Sequence, residues 1–88
     1  MDLKEKEKKV LTIMHRAKMV NGRFFPEYEA FVFEKIAINY DELYKIIKKL
    51  VNGKLLKEVD AGDGVNFYYQ TENVTENMLD EDLVLLGY

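Results

Sequence analysis

The chain of 88 residues has no cysteine, a single histidine, a single proline, and no basic residue beyond Lys57. Without cysteine there can be no disulfide, thiolate metal site or cysteine nucleophile. Small secreted domains usually depend on such cross-links, so a reducing, cytoplasmic setting is expected. His15 has no partner at metal-ligand spacing and reads as an imidazole of the surface or the core edge. Long apolar runs are also missing. None approaches the roughly 20 residues that span a bilayer, and Met1 to Lys9 is charged where a signal peptide is apolar. No membrane partner is expected. What is present is 48% hydrophobic and 12% aromatic, with only five glycines, the composition of a folded domain and not of a disordered chain. One domain of this length buries about 60–65% of its unfolded surface, so its stability is marginal.

The missing bases at the C-terminal end make the chain bipolar. Residues 1–57 carry a formal charge of +5 and residues 58–88 carry −8. Such asymmetry means either a basic face with an acidic appendage or two faces for different partners.

Hydrophobic spacing predicts a first helix over residues 3–20, with Leu3, Val10, Leu11, Met14 and Ala17 on one side and a Glu5–Lys9 pair on the other. Asn21-Gly22 is its expected stop. Arg23-Phe24-Phe25-Pro26 reads as extended, and Glu27 to Ala37 as a second helix. Asn39 and Glu42 have the spacing of a capping box that opens a third helix, Tyr40 to Val51, with Leu43, Ile46, Ile47 and Leu50 buried. Asn52-Gly53 ends it. Leu55 to Val59 and Val65 to Thr71 are strand-like and flank a five-residue turn, Asp60 to Gly64, making a hairpin. Thr75 to Leu86 reads as a last helix capped by Thr75, with Met78, Leu79, Leu83 and Leu86 on one face.

The order helix, extended piece, helix, turn, helix, hairpin is that of an α+β winged helix: a three-helix core with a helix-turn-helix, a β-hairpin wing and an additional C-terminal helix. Ile36-Ala37-Ile38-Asn39-Tyr40-Asp41-Glu42-Leu43 resembles the turn and recognition-helix start of winged helix-turn-helix regulators. Lys48-Lys49-Leu50-Val51-Asn52-Gly53-Lys54-Leu55-Leu56 resembles their exit into the wing. The resemblance covers roughly residues 10–71. It implies a winged-helix domain over 1–71, followed by an acidic amphipathic segment, 72–88, that packs on the domain or on a second subunit.

If the resemblance extends to double-stranded DNA, the third helix enters the major groove. The DNA-binding residues would then be Tyr40, Asp41, Tyr44, Lys45, Lys48 and Lys49. The three lysines would neutralise phosphates, the tyrosines would stack or meet thymine methyls, and Asp41 would accept from a cytosine amine. Two departures stand out. Acids occupy the helix start, where they suit the helix dipole, and the wing tip carries Asp60 and Asp63 in place of bases. The family also implies a homodimer that presents two recognition helices to half-sites. The expected function is that of a transcriptional regulator. The alternative is a winged-helix protein-interaction module that does not bind DNA, favoured by the acidic wing and by aromatics such as Phe24, Phe25, Tyr68 and Tyr69.

Other chemistry fails. Asp60-Ala61-Gly62-Asp63-Gly64 lacks the oxygen set of a calcium loop, since Gly62 stands at the third position and Thr71 at the twelfth. No helix and lysine follow Gly62-Asp63-Gly64 to form a phosphate cradle. No nucleophile–base pair is present, so neither an enzyme nor a cofactor or metal is expected.

Overall fold

The computed structural model describes residues 2–14, 16–20, 23–24 and 31–87, with side chains described at 2–14 and 34–87. His15, Asn21-Gly22, Phe25-Pro26 and the first part of the expected second helix, 27–30, lie outside the described residues.

Helix α1 spans Glu5–Ile13 and is followed by strands β1 (Arg16–Val20) and β2 (Arg23–Phe24). A π-helical turn, Phe31–Ile36, leads to helix α2 (Tyr40–Asn52). Strands β3 (Leu56–Gly62) and β4 (Val65–Gln70) form a hairpin, and a 3₁₀ turn, Glu76–Met78, precedes the short helix α3 (Glu81–Leu85). The fold is α+β. Its antiparallel sheet has the order β2-β1-β4-β3, so the strand next to the first helix lies beside the last strand of the hairpin.

The first helix is shorter than its spacing suggests. The stretch Arg16-Ala17-Lys18-Met19-Val20 is a strand paired to β4 from Arg16↔Tyr69 to Val20↔Val65. Its alternation of polar and apolar residues has the period of a strand, and the sheet supplies ladder partners that a lone helix extension would lack. Ala17 and Val20 therefore do not continue the helix stripe. The expected second helix is π-helical over Phe31–Ile36, and Ala37 has left it with φ 61°.

Helix α2 forms as its caps dictate. Asn39 Oδ1 accepts from the Glu42 amide at 2.9 Å. The other half of the expected box is replaced, because the Glu42 carboxylate turns to Lys6 Nζ at 3.5 Å. At the far end the Leu55 amide donates to the Leu50 carbonyl at 2.9 Å and the Lys54 amide to the Val51 carbonyl at 3.0 Å, a Schellman closure. The left-handed residue of that closure is Lys54, at φ 62°, while the neighbouring Gly53 has φ −79°. Glycine removes the Cβ clash of that conformation at some cost in unfolded-state entropy. Lys54→Gly is therefore expected to stabilise the domain by roughly 0.5–1 kcal/mol, read as a rise in the thermal midpoint. No rise would mean that the turn is not strained.

The hairpin turn is two residues long, not five. Asp63 and Gly64 have φ 52° and 76°, both left-handed, which is what a type I′ turn requires to match strand twist. Gly62, at φ 82°, is absorbed into β3 at a bulge between Asp60 and Gly62, where Asp60 Oδ1 accepts the Gly62 amide at 2.8 Å.

The last helix is broken in two. Thr75 does not cap it; Asp80 instead caps α3, with its Oδ1 accepting from the Leu83 amide at 3.0 Å. The Asp80 amide is drawn away to Thr12 Oγ1 on α1 at 2.8 Å, which interrupts the helical ladder. Leu83 is buried, and Met78 and Leu79 pack against the core. Leu86, expected on the buried face, is 73% exposed because the short helix ends before it. The acidic segment thus packs on α1 of its own chain.

One core joins these pieces. Val10, Leu11 and Ile13 of α1, with Met14 just after it, meet Leu43, Ile46, Ile47 and Leu50 of α2, with Ile36, Ile38, Leu55, Leu56, Tyr68 and Leu83 closing around them.

Candidate nucleic-acid interface

At 100° per residue, α2 divides into three faces. Leu43, Ile46, Ile47 and Leu50 are buried. Opposite them Asp41, Lys45, Lys48 and Asn52 are all exposed, one outward stripe with two cations and one acid. The flanks are committed to neighbours.

On the α1 flank, Lys49 Nζ donates to both oxygens of Glu7, at 3.0 and 2.8 Å. The same carboxylate accepts the Lys4 amide at 2.8 Å. Its side chain is only 9% exposed. Burial alone would raise the Glu7 carboxyl. The Lys49 and Lys4 hydrogen bonds, with the charges of both lysines, outweigh it and hold the group below its ordinary value. Lys49 is therefore a clamp between two helices. Lys4, Lys6, Glu42 and Lys45 line a cleft of about 460 Å³ beside it, where opposite charges alternate.

On the hairpin flank, Tyr40 is half-buried and stacks on Tyr44 with ring centroids 5.5 Å apart. Tyr68 of β4 lies buried beneath and donates its hydroxyl to Glu58 Oε2 at 2.7 Å. Burial, the Glu58 hydrogen bond and charge, and the nearby Tyr44 push the Tyr68 phenol far above its ordinary value, so it stays a donor. Of the hairpin aromatics, Tyr68 faces inward, while Phe67 and Tyr69 share the other face of β4.

Of the six residues singled out in the sequence, Asp41, Lys45 and Lys48 come together on the outward stripe, with Tyr44, 40% exposed, at its border. Tyr40 and Lys49 sit on the flanks. Asp60 and Asp63 at the hairpin tip are exposed. Lys45 and Lys48 enter no ion pair among the described residues. No helix among those residues is long and apolar enough to cross a membrane. No family model, curated protein or solved structure matches the chain.

Proposed function

We propose that the chain is a small winged-helix DNA-binding protein, a transcriptional regulator that lays α2 in the major groove of duplex DNA. Lys45 and Lys48 stand exposed on the stripe of α2 directly opposite its buried face, and this placement supports the reading most directly. The neighbouring elements suit it too. The turn at Ala37 and the Asn39 cap fix the start of α2, and β1 joins the hairpin in one sheet. Lys45 and Lys48 reach phosphates, Tyr44 meets apolar base edges such as thymine methyls, and Asp41 accepts from a cytosine amine. Lys49, held by Glu7, orients the helix.

A homodimer belongs to this reading. Val84 and Leu85 of α3 and Leu86 just after it leave an apolar end, 45, 78 and 73% exposed. Beside it lie Glu81 and Asp82, and the lysines of α1 on a second copy are complementary to those acids.

The experiment is a titration of a labelled random-sequence duplex, followed by fluorescence anisotropy at rising salt. Binding should weaken steeply with salt, with two chains per site at saturation. Joint replacement Lys45→Glu and Lys48→Glu should weaken binding at least about tenfold, with the thermal midpoint unchanged because both side chains are exposed. No binding at low salt would sink the reading and favour a protein-interaction module, the reading that the acidic hairpin tip supports. One chain per site would remove the dimer alone.

A further inference from the structure

We propose that the sheet face turned away from the core is a second binding surface, for single-stranded DNA. Its composition follows from strand register. Leu56 and Tyr68 are buried, and Gln70 donates to the Leu11 carbonyl at 2.7 Å, so these residues mark the inner face. Alternation puts Val65, Phe67 and Tyr69 on the other face. Tyr69 stands between Arg16 of β1 and Lys57 of β3, and Phe67 between Lys18 and Val59. Val65 pairs with Val20, which itself pairs with Arg23 of β2. Among the described strand residues, register therefore assigns four basic positions, 16, 18, 23 and 57, and no acidic one to the outer face. The acids of β3, Glu58 and Asp60, pair with Tyr68 and Asn66 and belong to the inner face.

At its centre Phe67 and Tyr69 stack on each other, half-buried, with ring centroids 6.3 Å apart and planes 24° from parallel. Lys57 and Val59 beside them are exposed. Rings at register positions beside basic residues match a strand that offers phosphates and unstacked bases together, since every base has a π-face for a ring. In a duplex those faces are already stacked. Among the described residues, register gives this face four basic positions against two on the α2 stripe, and no acidic one.

The test uses the full chain and a labelled oligothymidylate of about 12 nucleotides at low salt, read by fluorescence anisotropy. Binding is expected, weakening as salt rises. Tyr69→Ala should weaken it roughly tenfold, and Tyr69→Phe, which keeps the ring, should stay near the parent. Lys57→Glu, a change at an exposed position that leaves the fold intact, should also cost roughly tenfold. Lys48→Glu on α2 should leave it within about twofold. The proposal is overturned by an absence of binding at low salt, or by Tyr69→Ala and Lys57→Glu chains that melt and bind like the parent. It is equally overturned if Lys48→Glu weakens binding as much as Lys57→Glu, which would put the strand on α2. Tighter binding of an oligouridylate of the same length would give the face to RNA instead.

Discussion

Leu50→Ala is expected to cost the domain about 3–4 kcal/mol. Leu50 is fully buried in the core, and the Leu55 amide bonds to its carbonyl where the chain leaves α2. Truncation removes the transfer energy of the side chain and leaves a cavity that helices pinned by caps and ion pairs close only in part. A domain of this size holds about 4–13 kcal/mol in total, so the variant should sit near its unfolding threshold. Urea denaturation would show a lower midpoint with an unchanged slope. A loss under about 1 kcal/mol would mean that the surroundings collapse onto the site. The loss would also loosen α2, so any binding defect of this variant must be read beside its stability.

Replacing Glu7 by alanine should cost about 2–3 kcal/mol at neutral pH, more than an exposed ion pair contributes. The carboxylate is nearly buried and receives the Lys49 ammonium and the Lys4 amide together. Acid should reproduce the effect in the parent chain. Because the folded-state pKa of Glu7 is lowered, its contribution is fully present above the unfolded value of about 4.3. That contribution is lost as pH falls through the lower folded value. Urea denaturation of parent and variant at neutral pH and near about pH 3 should therefore show a gap that narrows with acid. A gap of constant size would mean that Glu7 acts by packing and not by charge.

Much of α2 was legible because its signals are local. Asn39, the buried stripe and the stop after Val51 lie within one short stretch, and the helix follows them to within a residue. Strand β1 reads in the sequence instead as the end of the first helix. Alternation from Arg16 to Met19, then Asn-Gly after Val20, then Arg-Phe is a hairpin pattern. Leu3 to Ala17 also satisfies helix spacing, and only the distant ladder to β4 decides between them. The break at Leu79-Asp80 has the same origin, since it depends on Thr12, far away in the chain.

The candidate site divides in the same way. Exposure of Lys45 and Lys48 follows from helix periodicity alone. The capture of Lys49 by Glu7 does not, because it requires the α1–α2 packing that no local pattern encodes. Reading Arg16 and Lys18 as helical bases likewise hid the basic outer face of the sheet, which exists only once the register is known. Whether a short turn is stopped by Gly53 or by Lys54 rests on backbone angles that residue preferences blur.

The sheet order has a consequence for how the protein is made. β4 is a central strand, flanked by β1 and β3, yet its residues are among the last of the sheet to leave the ribosome. A nascent chain that has released α1, β1 and α2 can pair β1 only with the two residues of β2. The sheet closes after Gln70 emerges, across a sequence separation of about fifty residues, a non-local step that topology makes slow. Until then the stripe of α2 lacks the cover that Leu55, Leu56 and Tyr68 supply in the finished fold, and apolar surface left open at that stage favours aggregation.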